Sequence, residues 1–286
     1  MKEEKTRMKF LIINDIHNRI QNVRKVISKV KSEKFDYVLC CGNIITLPTG
    51  DNADKNRIES LIPVMKSIFL EIENIAPIIW VPGNHDAYSF FTNYFEEISS
   101  KSQNIHKKFK KIANNLYIVG LGGSTPILAG GKWNKDFIPF QDMDFSQINY
   151  PGYPYNADSN DYIESDKMLL DDLNEVLNEG KKTWENSQLI FLTHTGPLFS
   201  FTNSLEEEGD YLYLGSNNLG QVFKNEQNSL INIHGHSHFS EGFETLRPGK
   251  YIFNPGANYN GNYGKLEIMK NKEGKWDVLS NSIEYV

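Results

Sequence analysis

Three short apolar runs, Lys9 to Ile13, Tyr37 to Cys41 and Pro77 to Val81, each end in polar residues or glycine. The stretches between them repeat apolar residues at helical spacing: Ile20, Val23, Ile27 and Val30 after the first run, and Leu61, Met65, Ile68 and Ile72 after the second. Strand, helix and strand in that alternation require right-handed crossovers and a parallel sheet, which confines the chain to the α/β class. Pro63 fits the second helix only in its first turn, where a missing N–H costs no helical hydrogen bond. Leu116 to Gly120 and Leu189 to Thr193 read as further strands flanking a helix near Ile163 to Leu177, and Leu230 to His234 as another. From Tyr251 onward strand follows strand, with turns at Pro255-Gly256 and Glu273-Gly274. The expected architecture is two packed mixed sheets with helices on their outer faces.

With 286 residues, no internal repeat and no composition shift that would mark a linker, the chain reads as one domain over 1–286. Two stretches look inserted: Ala129 to Asp161, rich in Gly, Pro, Tyr, Asn and Asp, and Ser200 to Ser216, acidic and aromatic. The aromatic segment from Phe140 to Tyr155 is expected to overhang the functional site. A formal charge of -6 argues against a nucleic-acid partner, since backbone binding normally shows as a basic surface. The charged start, MKEEKTRMKF, lacks the apolar core of a signal peptide, and no apolar run approaches membrane-spanning length. The two cysteines, Cys40 and Cys41, are adjacent on a strand and point to opposite faces, so they read as buried hydrophobes rather than a disulfide. A soluble cytoplasmic protein is expected.

The metal-competent side chains fall at the strand ends. Asp15 and His17 follow the first strand, Asn43 the second, and Asn84, His85 and Asp86 the third; His194 ends a later strand, and His236 and His238 follow another. Open α/β sheets bind ligands outside the carboxyl ends of their strands, so five strand ends deliver nitrogen and oxygen donors to one rim. His236 and His238, two residues apart on extended chain, point the same way. Arg19 lies close enough to the first motif to reach a substrate phosphate, although a surface arginine opening a helix reads as well. His234 is expected to pack on the sheet and His106 to be solvated.

In this order the motifs resemble the calcineurin-like metallophosphoesterase signature of D-x-H, G-D, G-N-H-[DE], an isolated H and G-H-x-H. Here they stand as Asp15-Ile16-His17, Gly42-Asn43, Gly83-Asn84-His85-Asp86, His194 and Gly235-His236-Ser237-His238, and Asn254-Pro255-Gly256 looks like the family's closing turn. The resemblance implies a four-layer αββα sandwich, the metallo-dependent phosphatase fold. It also implies two divalent transition-metal ions (Mn, Fe or Zn), one held by Asp15, His17 and His238, the other by Asn84, His194 and His236. A metal-bound hydroxide would then attack a phosphate mono- or diester in line. His85 would contact the phosphate and protonate the leaving oxygen, with Asn84 beside it; Asp86 is expected to orient His85 or to cap the following helix.

Position 43 departs from the family, which places a bridging carboxylate where this chain has Asn43. Two divalent ions repel strongly at close range, and an amide brings no charge to offset that, so occupancy of the second site should weaken. Asn43 is compatible with an active enzyme, with a binding protein, or with a change engineered to trap a ligand. The remaining donors are all present, which favours a metal site retained for use. The second motif reads GNIITLP rather than GDxxDRG, unlike protein serine/threonine phosphatases, and lacks the tyrosine of purple acid phosphatases. By analogy the substrate is a nucleotide or another soluble ester. The rival reading is a catalytically weakened chain acting as a ligand-binding or protein-interaction module, as in the retromer subunit that keeps this fold with a degraded metal site.

Overall fold

Side-chain alternation along the first three strands decides how the layers stack. The computed structural model describes residues 5–46, 55–86, 101–124, 128–129, 132–133, 162–198, 200–207 and 210–286. In chain order the strands are β1 (Arg7–Ile12), β2 (Tyr37–Cys40), β3 (Ile78–Trp80), β4 (Ser102–Asn104), β5 (Lys108–Ala113), β6 (Leu116–Leu121), β7 (Leu128–Ala129), β8 (Lys132–Trp133), β9 (Gln188–Thr193), β10 (Ser204–Glu207), β11 (Asp210–Tyr213), β12 (Ser229–Ile233), β13 (Gly242–Arg247), β14 (Lys250–Asn254), β15 (Asn262–Lys270) and β16 (Trp276–Tyr285). The helices are α1 (Ile20–Val30), α2 (Lys55–Glu73), α3 (Tyr162–Gly180) and α4 (Asn217–Asn225).

On β1 to β3, Leu11, Val38, Cys40, Ile78 and Trp80 face one way, where they pack with Val23, Val26 and Val30 of α1 and Met65, Ile68, Phe69 and Ile72 of α2. Phe10, Ile12, Leu39 and Ile79 face the other way, with Cys41 and Val81 just beyond the strands, onto Leu116, Ile118, Ile190, Leu192 and Ile233 of the second sheet. The second sheet repeats the device: Tyr117, Val119, Leu189 and Phe191 turn outward to Leu169, Leu173 and Val176 of α3 and Leu219 and Phe223 of α4. Helices, sheet, sheet and helices therefore form the expected four layers, each strand of the centre apolar on both faces because both are covered.

Both six-stranded sheets are mixed. The first runs β16-β15-β1-β2-β3-β4, with β1 to β4 parallel and β15 and β16 antiparallel. The second runs β13-β14-β12-β9-β6-β5, parallel except at its two outer strands. Those outer strands, with β4, are the ones that periodicity did not reveal. Ser102–Asn104, Lys108–Ala113 and Gly242–Arg247 are half-buried or exposed edges and carry no continuous apolar run. A four-stranded antiparallel sheet, β10-β11-β7-β8, pairs Leu212 with Ala129 and so joins parts of the two stretches read as insertions. The Phe140 to Tyr155 segment lies outside the described residues. No helix among the described residues is long and apolar enough to cross a membrane.

One local expectation is corrected. Pro63 lies inside α2 rather than in its first turn. Its side chain is exposed, and the turns beyond it are held by Met65, Ile68, Phe69 and Ile72 in the core, so packing overrides the lost hydrogen bond. Pro63→Ala should therefore raise the unfolding free energy by about 1–3 kcal/mol in urea denaturation, because it restores an interior helical bond. An unchanged midpoint would place the working start of the helix at Pro63.

Candidate metal centre

The donor loops are locked to each other before any side chain is considered. Asp15 N–H donates to the Gly42 carbonyl at 2.9 Å and His17 N–H to the Asn43 carbonyl at 3.0 Å, which zips the loop after β1 to the loop after β2. The loop after β3 is tied to the loop after β2 by Asp86. Its buried carboxylate accepts from Gly83 N–H at 2.8 Å, Ile44 N–H at 3.0 Å and Ile45 N–H at 3.2 Å. Burial pushes the Asp86 pKa up to about 7 against the pull of these donors. Such close approach requires glycine: a Cβ on Gly42 would stand 2.3 Å from Gly83 N, and one on Gly83 2.1 Å from Asn43 Oδ1.

Several donors sit on left-handed backbone, with φ of 51° at Asp15, 47° at His17, 51° at Asn43 and 67° at His236. Asp, Asn and His are the non-glycine residues that tolerate this region best, and strained backbone concentrates at functional sites. Within the second sheet, Gly235 N–H donates to the His194 carbonyl at 3.1 Å and so ties its two donor loops to each other. His236 N–H donates to Asp15 Oδ2 at 3.0 Å and so bonds the two sheets' loops together.

Asp15, His17 and His238 each offer one ligand atom, and these atoms lie within 4.8 Å of one another. His17 Nε2 and His238 Nε2 are 3.2 Å apart, and His238 Nε2 is 3.4 Å from Asp15 Oδ1. Two nitrogens at the usual bond length to one transition-metal ion stand about 3.0–3.4 Å apart, so the spacing fits a shared cation. Asp15 Oδ1 makes no hydrogen bond although it is buried.

Beside this triad, Asn84, His194 and His236 form a second group whose proton arrangement can be deduced. His85 N–H donates to Asn43 Oδ1 at 2.9 Å, which fixes that amide. Asn43 Nδ2 then donates to Asn84 Oδ1 at 3.2 Å. His194 Nδ1 lies 2.6 Å from the Cys41 carbonyl, which can only accept, so the ring proton is on Nδ1 and Nε2 is bare. That bare nitrogen meets Asn84 Oδ1 at 2.8 Å. Two lone pairs at this distance repel unless a cation lies between them. His236 rests with its ring centroid 5.0 Å from that of His194, and its Nε2 is buried without a hydrogen bond. The residues thus fit a metal group on chemical grounds.

The electrostatics keep the donors in their ligating forms. Burial, opposed by Asp15, lowers the His17 pKa to about 4; burial and then His17 lower that of His85 to about 3; burial also lowers His194, and takes His236 well below its ordinary value. Burial opposes ionisation of Asp15, yet His238, 3.4 Å away, holds its carboxyl well below the usual range. His238 is the exception among the imidazoles: burial opposes its charge, but Asp15 raises its pKa.

The positions selected as donors line or brace this rim. His85 stands edge-on to His17, ring centroids 4.9 Å apart. Arg19 is exposed at the same lip, its Nη2 donating to the Tyr259 hydroxyl at 3.2 Å. His234 is fully buried, bonded to Thr202 Oγ1 and the Gly235 carbonyl, each at 2.9 Å. His106 is not solvated as expected. It is 6% exposed, and its Nδ1 accepts from Gly122 N–H at 2.8 Å, because the β4–β5 connection folds back over β6. Sequence reasoning missed Thr46, whose Oγ1 is 3.0 Å from His17 Nδ1, and Tyr259, whose N–H donates to the Asp15 carbonyl at 2.9 Å. Tyr259 follows the Asn254-Pro255-Gly256 turn, the one signal that could have drawn attention to it. In that turn Asn254 Nδ2 donates to the Thr202, Ser237 and Ser240 carbonyls.

A family model described as calcineurin-like phosphoesterase matches residues 8–240. No curated protein matches the sequence significantly. Among solved structures, a putative 5′-nucleotidase from Staphylococcus aureus in complex with alpha-ketoglutarate superposes with a TM-score of 0.58 at 13% identity, over 98% of this chain and 54% of that chain. The TT1561 protein of Thermus thermophilus gives 0.57 at 15% identity, over 96% of this chain and 98% of that one. GAP50, the anchor in the inner membrane complex of Plasmodium, gives 0.50 at 10% identity, over 99% and 90%. At such identities the likeness shows the fold alone.

A cation between the paired acceptors should stabilise the folded chain. Mn²⁺ at ~100 times its dissociation constant should raise the unfolding free energy by about 2.7 kcal/mol. His194→Ala should lose at least half of that gain, as read by thermal unfolding with and without metal. Equal gains in both proteins would mean that the ion binds elsewhere.

Proposed function

Because the chain belongs to the calcineurin-like phosphoesterase family, we propose that it is a metal-dependent hydrolase of a soluble phosphate mono- or diester, of nucleotide or other small-molecule type. The observation that carries this reading is the bare His194 Nε2 facing Asn84 Oδ1 at 2.8 Å. Asp15, His17 and His238 would hold one divalent ion, and Asn84, His194 and His236 a second, with Mn, Fe or Zn favoured by mixed imidazole and oxygen donors. When bound, such ions polarise phosphoryl oxygens and acidify water near neutral pH. The free, buried Cys40 and Cys41 agree with a reducing, cytoplasmic setting.

His85 would donate a hydrogen bond to a phosphoryl oxygen. Burial and the neighbouring imidazoles keep it neutral, so it can act as an acid towards the leaving oxygen only when the phosphate's negative charge arrives beside it. Asp86 acts through His85 and Asn84 rather than on substrate, since its oxygens are bonded to the Gly83, Ile44 and Ile45 N–H groups. Arg19, exposed at the lip beside Tyr259, would meet the bound ester where it projects from the rim.

Asn43 presents its Nδ2 towards Asn84 Oδ1, so a donor competes with a cation for the same oxygen. This favours weak occupancy of the second site. It also supports the second reading, a chain with lowered catalysis that serves as a ligand-binding or protein-interaction module; the fold is compatible, since the Plasmodium structure is described as an anchor.

His85→Gln should lower kcat for a phosphate ester about a hundredfold while metal content, measured by atomic emission, stays the same. Loss of metal in that variant would make His85 a structural support of the site instead. Asn43→Asp should raise both the bound Mn²⁺ and the turnover of an activated phosphate ester, because a carboxylate removes the competing donor and eases repulsion between the ions. A modest gain marks an enzyme adapted to the amide and a large one marks lowered catalysis; equal metal with a slower rate would overturn this account of Asn43.

A further inference from the structure

The donor triad is bordered by two aromatic rings that do not join the core. Phe239 directly follows His238 and is 68% exposed, its ring centroid 6.4 Å from that of His238. Tyr259 is 42% exposed, its ring 6.1 Å from His17 at an interplanar angle of 84°. His17 and His238 are themselves the pair whose Nε2 atoms stand 3.2 Å apart, so both rings flank the same half of the centre. Among the described residues, no other exposed ring contacts a donor histidine. Phe201, also exposed, lies in the 3-10 turn Phe201–Asn203 with its ring against Gly242, and Leu70 on α2, Leu246 on β13 and Leu279 on β16 belong to the outer helices and strands.

Tyr259 is held there firmly. Its N–H donates to the Asp15 carbonyl at 2.9 Å, Asn258 N–H donates to the Asn14 carbonyl at 2.8 Å, and Asn22 Nδ2 donates to the carbonyls of both Asn258 and Tyr259. An exposed ring on a backbone bonded to the donor loop moves with that loop and keeps its distance from the triad. Its face carries the Arg19 guanidinium, 4.7 Å from the ring centroid, in addition to the hydrogen bond at the hydroxyl. The lip therefore combines a ring open to solvent, a second ring, and a planar cation shelved on it. Planar π-surfaces and a guanidinium are what recognise a base or aryl group attached to a phosphate.

We propose that Phe239 and the Tyr259–Arg19 pair form a subsite for the alcohol part of the ester, and that the substrate is a phosphate ester of a planar aromatic group, of nucleotide type. The proposal rests on the phosphoesterase reading and specifies its substrate class. Phe239 supplies the stacking surface, and Tyr259 is a positioning residue that keeps Arg19 aimed along the lip.

The test is the ratio of kcat/KM for a nucleoside monophosphate to that for glycerol phosphate, measured with Mn²⁺ in the full chain. Comparing each variant's ratio with that of the unaltered protein cancels the intrinsic reactivity of the two esters. Phe239→Ala should lower the ratio about tenfold, in line with the worth of one base-stacking contact, and Tyr259→Ala should lower it too, because it releases Arg19. Tyr259→Phe, which keeps the ring but loses the hydroxyl that holds Arg19, should raise KM for the nucleotide while kcat stays within the error. Leu279→Ala, on the exposed face of β16, should leave the ratio unchanged. Ratios that stay the same in Phe239→Ala and Tyr259→Ala overturn the proposal. If the unaltered protein hydrolyses neither of these esters nor a nucleotide diester, the phosphoesterase reading fails first, and calorimetric binding of the nucleoside monophosphate decides the lip separately: about tenfold weaker binding in Phe239→Ala supports it, and equal binding overturns it.

Discussion

The hydrogen bond from His194 Nδ1 to the Cys41 carbonyl, 2.6 Å long, joins the two sheets at their common rim. Cys41 ends the run that forms β2 of the first sheet, and His194 follows β9 of the second. The second group of donors depends on that bond. It requires the strands' carboxyl ends to lie level, which the apolar layer of Phe10, Leu39, Ile79, Ile190 and Leu192 between the sheets enforces. It also selects the tautomer that leaves Nε2 bare, so a packing decision made between sheets becomes a coordination property at the rim.

The loops above that layer are assembled at a cost in backbone strain. Asp15, His17, Asn43 and His236 occupy left-handed conformations, each disfavoured by about 1–2 kcal/mol for an ordinary side chain. Offsetting this are the backbone bonds between the first two loops, the three N–H groups collected by Asp86, and the three carbonyls collected by Asn254. These braces are polar and almost wholly buried, so the rim is rigid without contributing apolar surface to either core.

The layers were legible in the sequence because the central strands are covered on both faces, which writes them as continuous apolar runs. The donors were legible because each follows such a run within a few residues. Edge strands such as Lys108–Ala113 left no comparable mark, since a strand exposed on one side can be almost any polar mixture. The bracing was not legible either: that Asp86 turns to the Ile44 and Ile45 amides, or that Tyr259 returns to the Asp15 carbonyl, depends on contacts between residues far apart in sequence. The burial of His106 is illegible for the same reason, being decided by Gly122 just beyond β6.

The left-handed backbone at position 43 also restricts the alphabet available to that position. With φ at 51° and its Oδ1 accepting the His85 N–H, the residue must tolerate this conformation and must keep a carbonyl-type oxygen on a one-carbon stem. Only Asp and Asn meet both demands; serine has no such oxygen, glutamine is too long, and glycine keeps the backbone but abandons the amide. A chain that gives up negative charge here while keeping its loops in place therefore has a single neighbour to move to in sequence space. The amide at 43 is the outcome that steric selection alone would reach, whatever happened to the chemistry above it.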